Sequence, residues 1–193
     1  MTKQATISIL VALIWMSGCA TPMVSTVGEL QNLVDNEGVV YGSVFLTVEP
    51  GPDNESGWAF LKGLKADKKD WEVSISETKL FAKTYSIPAK PGLETVFIKK
   101  LPAGTYEILK VYQPGLFGGC CQDNQIFVEV NARFSVIPGQ VSYIGKLTIK
   151  LPYRVRWGNR VFIGISDNQD EALDQLHGEF SAVLTNSVRD LAM

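Results

Sequence analysis

The chain has 193 residues, one histidine, three cysteines and a formal net charge of −2, with 46% hydrophobic and 20% charged residues. Those proportions belong to a globular protein of one embellished domain and leave no room for a second full one. Mild acidity argues against a nucleic-acid partner, whose phosphates reward a basic surface, and so few cysteines exclude a disulfide framework.

At the N-terminus, Lys3 supplies a positive charge, Ile7 to Trp15 form an uncharged apolar run, and Met16-Ser17-Gly18-Cys19 closes it with small residues before a cysteine. The run is too short to span a bilayer, so residues 1–18 read as a cleaved signal peptide; ordinary secretion and an uncleaved anchor are the alternatives. Met16-Ser17-Gly18-Cys19 resembles the processing site of bacterial lipoproteins, with Met16 standing where Leu is usual. The resemblance implies cleavage before Cys19 once a diacylglycerol has joined its sulfur. The mature chain would then hold 193 − 18 = 175 residues, and losing Lys3 takes the net charge from −2 to −3. Ala20, in the place where Asp would favour inner-membrane retention, implies a lipid anchor in the outer membrane, with the protein facing the periplasm.

Residues 19–38 read as a lipidated tether, with a weak helical hint at Val27, Leu30, Leu33 and Val34 that Gly38 would end. From Val39 the period changes to two. Val40, Val44, Leu46 and Val48 share one parity, and Tyr41, Ser43, Phe45 and Thr47 the other, which predicts a partly buried first strand. Pro50 to Gly57 is loop chemistry. Between Trp58 and Pro91 two or three shorter strands are expected, one carrying Trp71, Val73 and Ile75. Thr95 to Leu101 and Gly104 to Tyr112, joined by Pro102-Ala103-Gly104, predict a hairpin.

Every even position from Ile126 through Val128, Val130, Ala132 and Phe134 to Val136 is apolar, the pattern of a long, bent strand with one wet face. After Pro138-Gly139, odd positions Val141, Tyr143, Leu147, Ile149 and Leu151 are apolar around Gly145. Gly158-Asn159 fits a two-residue hairpin loop between Val155-Trp157 and Val161-Ile163-Ile165. Ala172, Leu173, Leu176, Phe180, Val183, Leu184, Val188 and Leu191 recur at helical steps, so one or two helical pieces should pack on the sheet, with a break at Gly178. The organisation is a β domain over residues 39–166 followed by a helical segment over residues 167–193.

Few residues are equipped for chemistry. Cys120 and Cys121 are adjacent, and neighbouring Cα atoms lie about 3.8 Å apart across a trans peptide whereas disulfides want roughly 4.4–6.8 Å. A vicinal disulfide there would be strained and reducible; the alternatives are two thiols at a loop base or, with less support, a thiol-dependent redox protein. His177 sits in helical sequence without a nucleophile motif, and the supply of metal ligands is poor. Asp167, Asp170, Glu171 and Asp174 invite calcium but lack the spacing of a calcium loop. Ser166 or Asp167 as helix N-cap, with Asp170 or Glu171 completing a capping box, accounts for most of them. Leu116 and Phe117, flanked by glycines, either form an exposed tip that touches a partner or the membrane interface, or fold back over the end of the domain. Lys146, Lys150, Arg154 and Arg156 share one parity, with Arg160 near their turn, giving either a solvated basic face or a stripe for anionic partners. No cofactor motif and no catalytic constellation is present.

Leu101-Pro102-Ala103-Gly104-Thr105-Tyr106, Phe134-Ser135-Val136-Ile137-Pro138-Gly139 and Tyr143-Ile144-Gly145 resemble the carboxypeptidase-regulatory-like and transthyretin-like (prealbumin-like) domains of many bacterial lipoproteins. The resemblance covers roughly residues 39–151. It implies a mainly β fold, an antiparallel β-sandwich carrying a C-terminal helix, and a non-enzymatic binding or structural module. Its partners would be envelope proteins or glycans, with an accessory factor in envelope assembly or secretion as the alternative.

Overall fold

The computed structural model describes residues 21–22, 25–32, 35–51, 64–66, 70–80, 82–114, 127–155, 161–176, 178, 180–184 and 187–192, which form a mainly β protein. The apolar N-terminal run, Cys19, Leu116, Phe117, Cys120, Cys121, Arg156, Gly158-Asn159, Arg160 and His177 lie outside the described residues.

In chain order the elements are β1 (Thr21–Pro22), α1 (Val27–Gln31), β2 (Glu37–Val48), β3 (Leu64–Lys65), β4 (Trp71–Glu77), β5 (Thr84–Ala89), β6 (Glu94–Pro102), β7 (Gly104–Tyr112), β8 (Phe127–Val136), β9 (Val141–Leu151), β10 (Arg154–Val155), β11 (Phe162–Ser166), α2 (Gln169–Leu176), α3 (Ser181–Leu184) and β12 (Val188–Arg189). One sheet runs β1-β5-β4-β7-β8 and the other β11-β9-β2-β6, with β12 also on β9 and a small β10-β3 pair. Trp71, Val73, Ile75, Ile87, Tyr106, Ile108 and Phe134 from the first sheet share one buried cluster with Val44, Leu46, Phe97, Leu101, Leu147 and Ile149 from the second. The sheets therefore face one another across a common core, closed against water on both inner faces.

The expectation of purely antiparallel pairing does not hold. β2 and β9 run parallel from Val39↔Val141 to Val48↔Leu151, and β1 on β5 and β12 on β9 are also parallel. Parallel strands are usually buried on both faces, and so are these. Val40, Val44 and Leu46 point into the shared core, whereas Val39, Tyr41, Val141 and Tyr143 meet Leu30, Ala172, Leu176 and Leu184 in a second cluster beneath the helices. β2 is thus more deeply buried than alternation alone suggests.

The hairpin expected at Pro102-Ala103-Gly104 is instead a corner between sheets: β6 pairs with β2, and β7 with β4 and β8. Both strands contribute to the same core from opposite sides, so the chain must cross rather than fold back. Ala103 donates its N–H to Asn36 O at 2.8 Å, and the Tyr106 hydroxyl donates to Pro102 O at 3.0 Å, tying the strand back to the corner. Among the described residues the strands of the second expected hairpin do not pair with one another: β11 pairs with β9, from Phe162↔Lys150 to Ser166↔Lys146, while β10 pairs with β3.

The long strand before Pro138 appears as expected, with Ala132, Phe134 and Val136 buried. Its bend lies at Asn131, φ 59°, where the register against β7 slips; Asn tolerates this left-handed conformation better than most residues. A second irregularity falls at Gly145, φ 105°, between the pairs Tyr41↔Tyr143 and Ser43↔Lys146. The extra residue exchanges the faces of β9, so Val141 and Tyr143 point to the helices while Leu147, Ile149 and Leu151 point to the inner core. An unbroken odd-numbered face across Gly145 is therefore corrected.

The expected C-terminal helix stops early. α2 ends before Gly178, φ 96°, α3 is a single turn, and Val188 and Leu191 belong to the extended segment that pairs with β9 or follows it. At the other terminus, the residues read as a tether are fixed to the body. β1 pairs with β5, and Ser25 donates its N–H to Ile98 O at 2.9 Å along the free edge of β6. α1 is closed by a capping box between Thr26 and Glu29.

Candidate functional site

The densest polar arrangement lies between the outer face of the second sheet and α2. Gln169, 8% exposed, donates from Nε2 to the Tyr41 hydroxyl at 2.8 Å and to Ser187 Oγ at 3.1 Å, and Tyr41 and Ser187 bond one another at 2.9 Å. Arg189 donates to Gln169 Oε1 and pairs with Asp167 Oδ2 at 3.1 Å. The Tyr143 hydroxyl accepts the N–H of Asn168 at 3.0 Å, and its ring lies 5.2 Å from that of Tyr41. Burial raises the pKa of Tyr143 against the opposing bond from Asn168, with Asp167, Tyr41 and Glu94 adding to the rise. Both tyrosines stand on the two central, parallel strands, so their hydroxyls are fixed by the sheet.

This network defines the start of α2. The first helical bond runs from Ala172 N to Asn168 O at 3.2 Å, which puts Asn168 at the N-cap rather than the expected Ser166 or Asp167. Asp167 accepts from Gln169 N at 3.3 Å, and Glu171 accepts from the Asn168 side chain at 3.0 Å instead of completing a backbone capping box. The carboxylates do serve the helix terminus, through different partners. An open cleft of about 380 Å³ is lined by Asp167, Asn168, Gln169, Asp170, Glu171 and Arg189. Among the described residues no group of three or more His, Cys, Asp or Glu side chains is placed to hold a metal ion.

Lys146, first of the expected basic stripe, sits beside this network. Its Nζ lies 2.6 Å from Glu94 Oε2, 3.5 Å from Glu171 Oε2 and 5.4 Å from the centre of the Phe45 ring. The Glu94 bond raises the lysine pKa against its burial, with Glu171 adding to the rise. Burial pushes the Glu94 carboxyl up, but Lys146 and the Ser43 hydroxyl outweigh it and hold the group below its ordinary range. Lys150 lies 3.7 Å from Glu49, and Arg154 stacks 5.8 Å from the Tyr153 ring. The three described members of the stripe thus have local partners, and Lys146 is engaged in fastening α2 to the sheet.

Nothing in this arrangement pairs a nucleophile with a base. Its chemistry is that of a clamp, holding the helical layer and the C-terminal segment on β2 and β9. Gln169, Ser187 and Arg189 had no signal in the sequence as functional residues, because their partners on β2 and β9 lie far away in the chain. Tyr41 and Tyr143 carry one hint, a large amphipathic side chain in an otherwise apolar strand.

The two ends of the body differ. At one end lie the β4–β5 turn, the Pro102–Gly104 corner and the Pro138-Gly139 turn, since Glu37 pairs with Pro102 and Gly104 with Val136. At the other, Val48 pairs with Leu151 and Tyr112 with Phe127. The described residues that flank positions 52–63, 115–126 and 156–160, the stretches of sequence that carry Leu116, Phe117, Cys120, Cys121, Arg156 and Arg160, lie at that second end.

No protein-family model and no curated protein sequence matches this chain. Among solved structures, a leucine-rich repeat protein from Bacteroides thetaiotaomicron aligns at 17% identity over 63% of this chain and 15% of its own length, with a TM-score of 0.31. The chain thus spans about a seventh of that protein, and so low a score carries no argument about fold or function.

Proposed function

We propose that the chain is a lipoprotein of the outer membrane, anchored through Cys19 and acting as a non-enzymatic binding or structural module built on a transthyretin-like β-sandwich. The Met16-Ser17-Gly18-Cys19 motif supports the anchor, and the tie of Tyr106 to the Pro102 corner agrees with a sandwich in which a strand changes sheets. The observation that carries the reading is the polarity of the body. β1 begins at Thr21, and runs parallel to β5, so the preceding residues lead toward the end holding the β4–β5 turn. The described residues that flank positions 52–63, 115–126 and 156–160 lie at the opposite end. An anchor at one end and the flanks of three connecting segments at the other suit a module that meets a partner in the envelope with its far end.

Photo-crosslinking in intact cells tests this. A crosslinker at Arg154, beside the long connections, is expected to trap a reproducible protein or glycan that one at Val130 on the side of the body does not. Identical products from the two positions, or none from Arg154, would contradict the reading.

A further inference from the structure

We infer that the end of the body holding the β4–β5 turn rests on the bilayer surface, with Leu80 and Ile137 entering the headgroup region, an inference that depends on the anchoring of Cys19 proposed above. Three features meet there. Thr21 pairs with Tyr85 and Pro22 with Ser86, so the chain is fixed to the body two residues beyond Cys19. Two residues reach at most roughly 7 Å. A lipid on Cys19 therefore holds this end within a headgroup's thickness of the membrane and leaves no free tether for the body to stand off.

The second feature is apolar exposure: Leu80, in the β4–β5 turn, is 85% exposed, and Ile137, beside the Pro138-Gly139 turn, is 46% exposed. Leu93 and Phe162 are also exposed but lie toward the opposite end, so exposure alone does not select a membrane face. The point of attachment does. Once the lipid has fixed the end, the apolar tips beside it meet the interface without further loss of freedom.

The third feature is charge. Lys79 pairs with Glu77, Lys100 pairs with Glu37 at 3.0 Å, and Lys83 lies 5.5 Å from the centre of the Tyr85 ring. Two of these lysines are thus matched by carboxylates and the third by an aromatic face, and the contact rests on apolar insertion rather than on attraction to anionic lipid. A zwitterionic phosphatidylcholine surface suffices, and added salt leaves the contact in place.

The test uses the mature lipidated chain in phosphatidylcholine vesicles whose acyl chains carry bromine near the headgroup. Processing leaves Trp58, Trp71 and Trp157, whose emission is the baseline. Leu80→Trp is expected to add a blue-shifted emission that loses more than half its intensity to brominated lipid. Ile137→Trp should behave alike, and Phe162→Trp should be unquenched. All three positions are exposed, so the fold should accept the indole. Equal quenching at Leu80→Trp and Phe162→Trp, or none at Leu80→Trp and Ile137→Trp in a chain whose mass shows the lipid, would overturn the orientation while leaving the anchor intact. An unmodified Cys19 in the same mass measurement would remove the anchor, and the orientation with it.

Discussion

Replacing Gly145 with Ala puts the irregularity in β9 to a quantitative test. The backbone there has φ 105°, and an added Cβ would lie 2.7 Å from Ile165 Cγ2 and 3.5 Å from both Leu191 Cδ2 and Ser166 O. Forcing an L-residue into that conformation costs about 1 kcal/mol or more. The contact with Ile165 is roughly 1 Å inside an ordinary carbon–carbon separation, and overpacking of this kind typically costs about 1–3 kcal/mol. Together they predict a loss of about 2–4 kcal/mol, and in a chain of this size a fall in Tm of roughly 4–16 °C. Urea denaturation of Gly145→Ala, Ile165→Ala and the double variant separates the two parts. In the Ile165→Ala background, Gly145→Ala should cost only the conformational part, about 1 kcal/mol. A loss below about 0.5 kcal/mol in the single variant would refute the strained bulge; an undiminished loss in the Ile165→Ala background would refute the contact.

Lys146→Met removes the cation from Glu94 and Glu171 and should cost about 1.5–3 kcal/mol at neutral pH, the range for a hydrogen bond to a charged group. The pH dependence has a fixed sign. Glu94 lies below its ordinary value of 4.5 in the folded protein, so its contribution is present above that pH and lost as pH falls through the folded value. Lys146 lies above 10.5, so its contribution is complete below that pH and lost as pH rises through the folded value. The stability difference between wild type and variant should therefore shrink in both acid and strong base, and a difference independent of pH would count against the pair. Tyr106→Phe leaves Pro102 O without its donor and should cost about 0.5–1.5 kcal/mol by thermal denaturation, with the Tyr106–Phe134 stacking at 5.6 Å retained. No loss at all would mean the hydroxyl does not secure the corner.

Strands were legible in the sequence wherever one face was wet. Val130 to Val136 alternates cleanly because β8 is an edge strand with a solvated face, and β4 is legible because Trp71, Val73 and Ile75 alternate with the polar Glu72, Ser74 and Ser76. Pairing was not legible, for reasons of geometry. A short turn such as Pro102-Ala103-Gly104 marks a reversal of the chain but carries no information on whether the next strand joins the same sheet. The parallel contact of β2 with β9 unites segments about a hundred residues apart, so neither carries a local sign of the other. Gly145 hid the exchange of faces because the odd positions are apolar on both sides of it, Val141 and Tyr143 toward the helices and Leu147, Ile149 and Leu151 toward the inner core, so the alternation reads as unbroken. Of the site residues, the carboxylates at α2 announced a helix start, since an acidic first turn suits the helix dipole. Lys146 looked like part of a basic stripe because its partners, Glu94 and Glu171, arrive from other elements.

The most direct test of the anchored-module reading is the intact mass of the N-terminal peptide from the membrane-associated protein. The expected result is a chain beginning at Cys19 whose sulfur carries a diacylglycerol, with residues 1–18 gone. A chain that retains those residues, or one that begins at Cys19 with a free thiol, would contradict it.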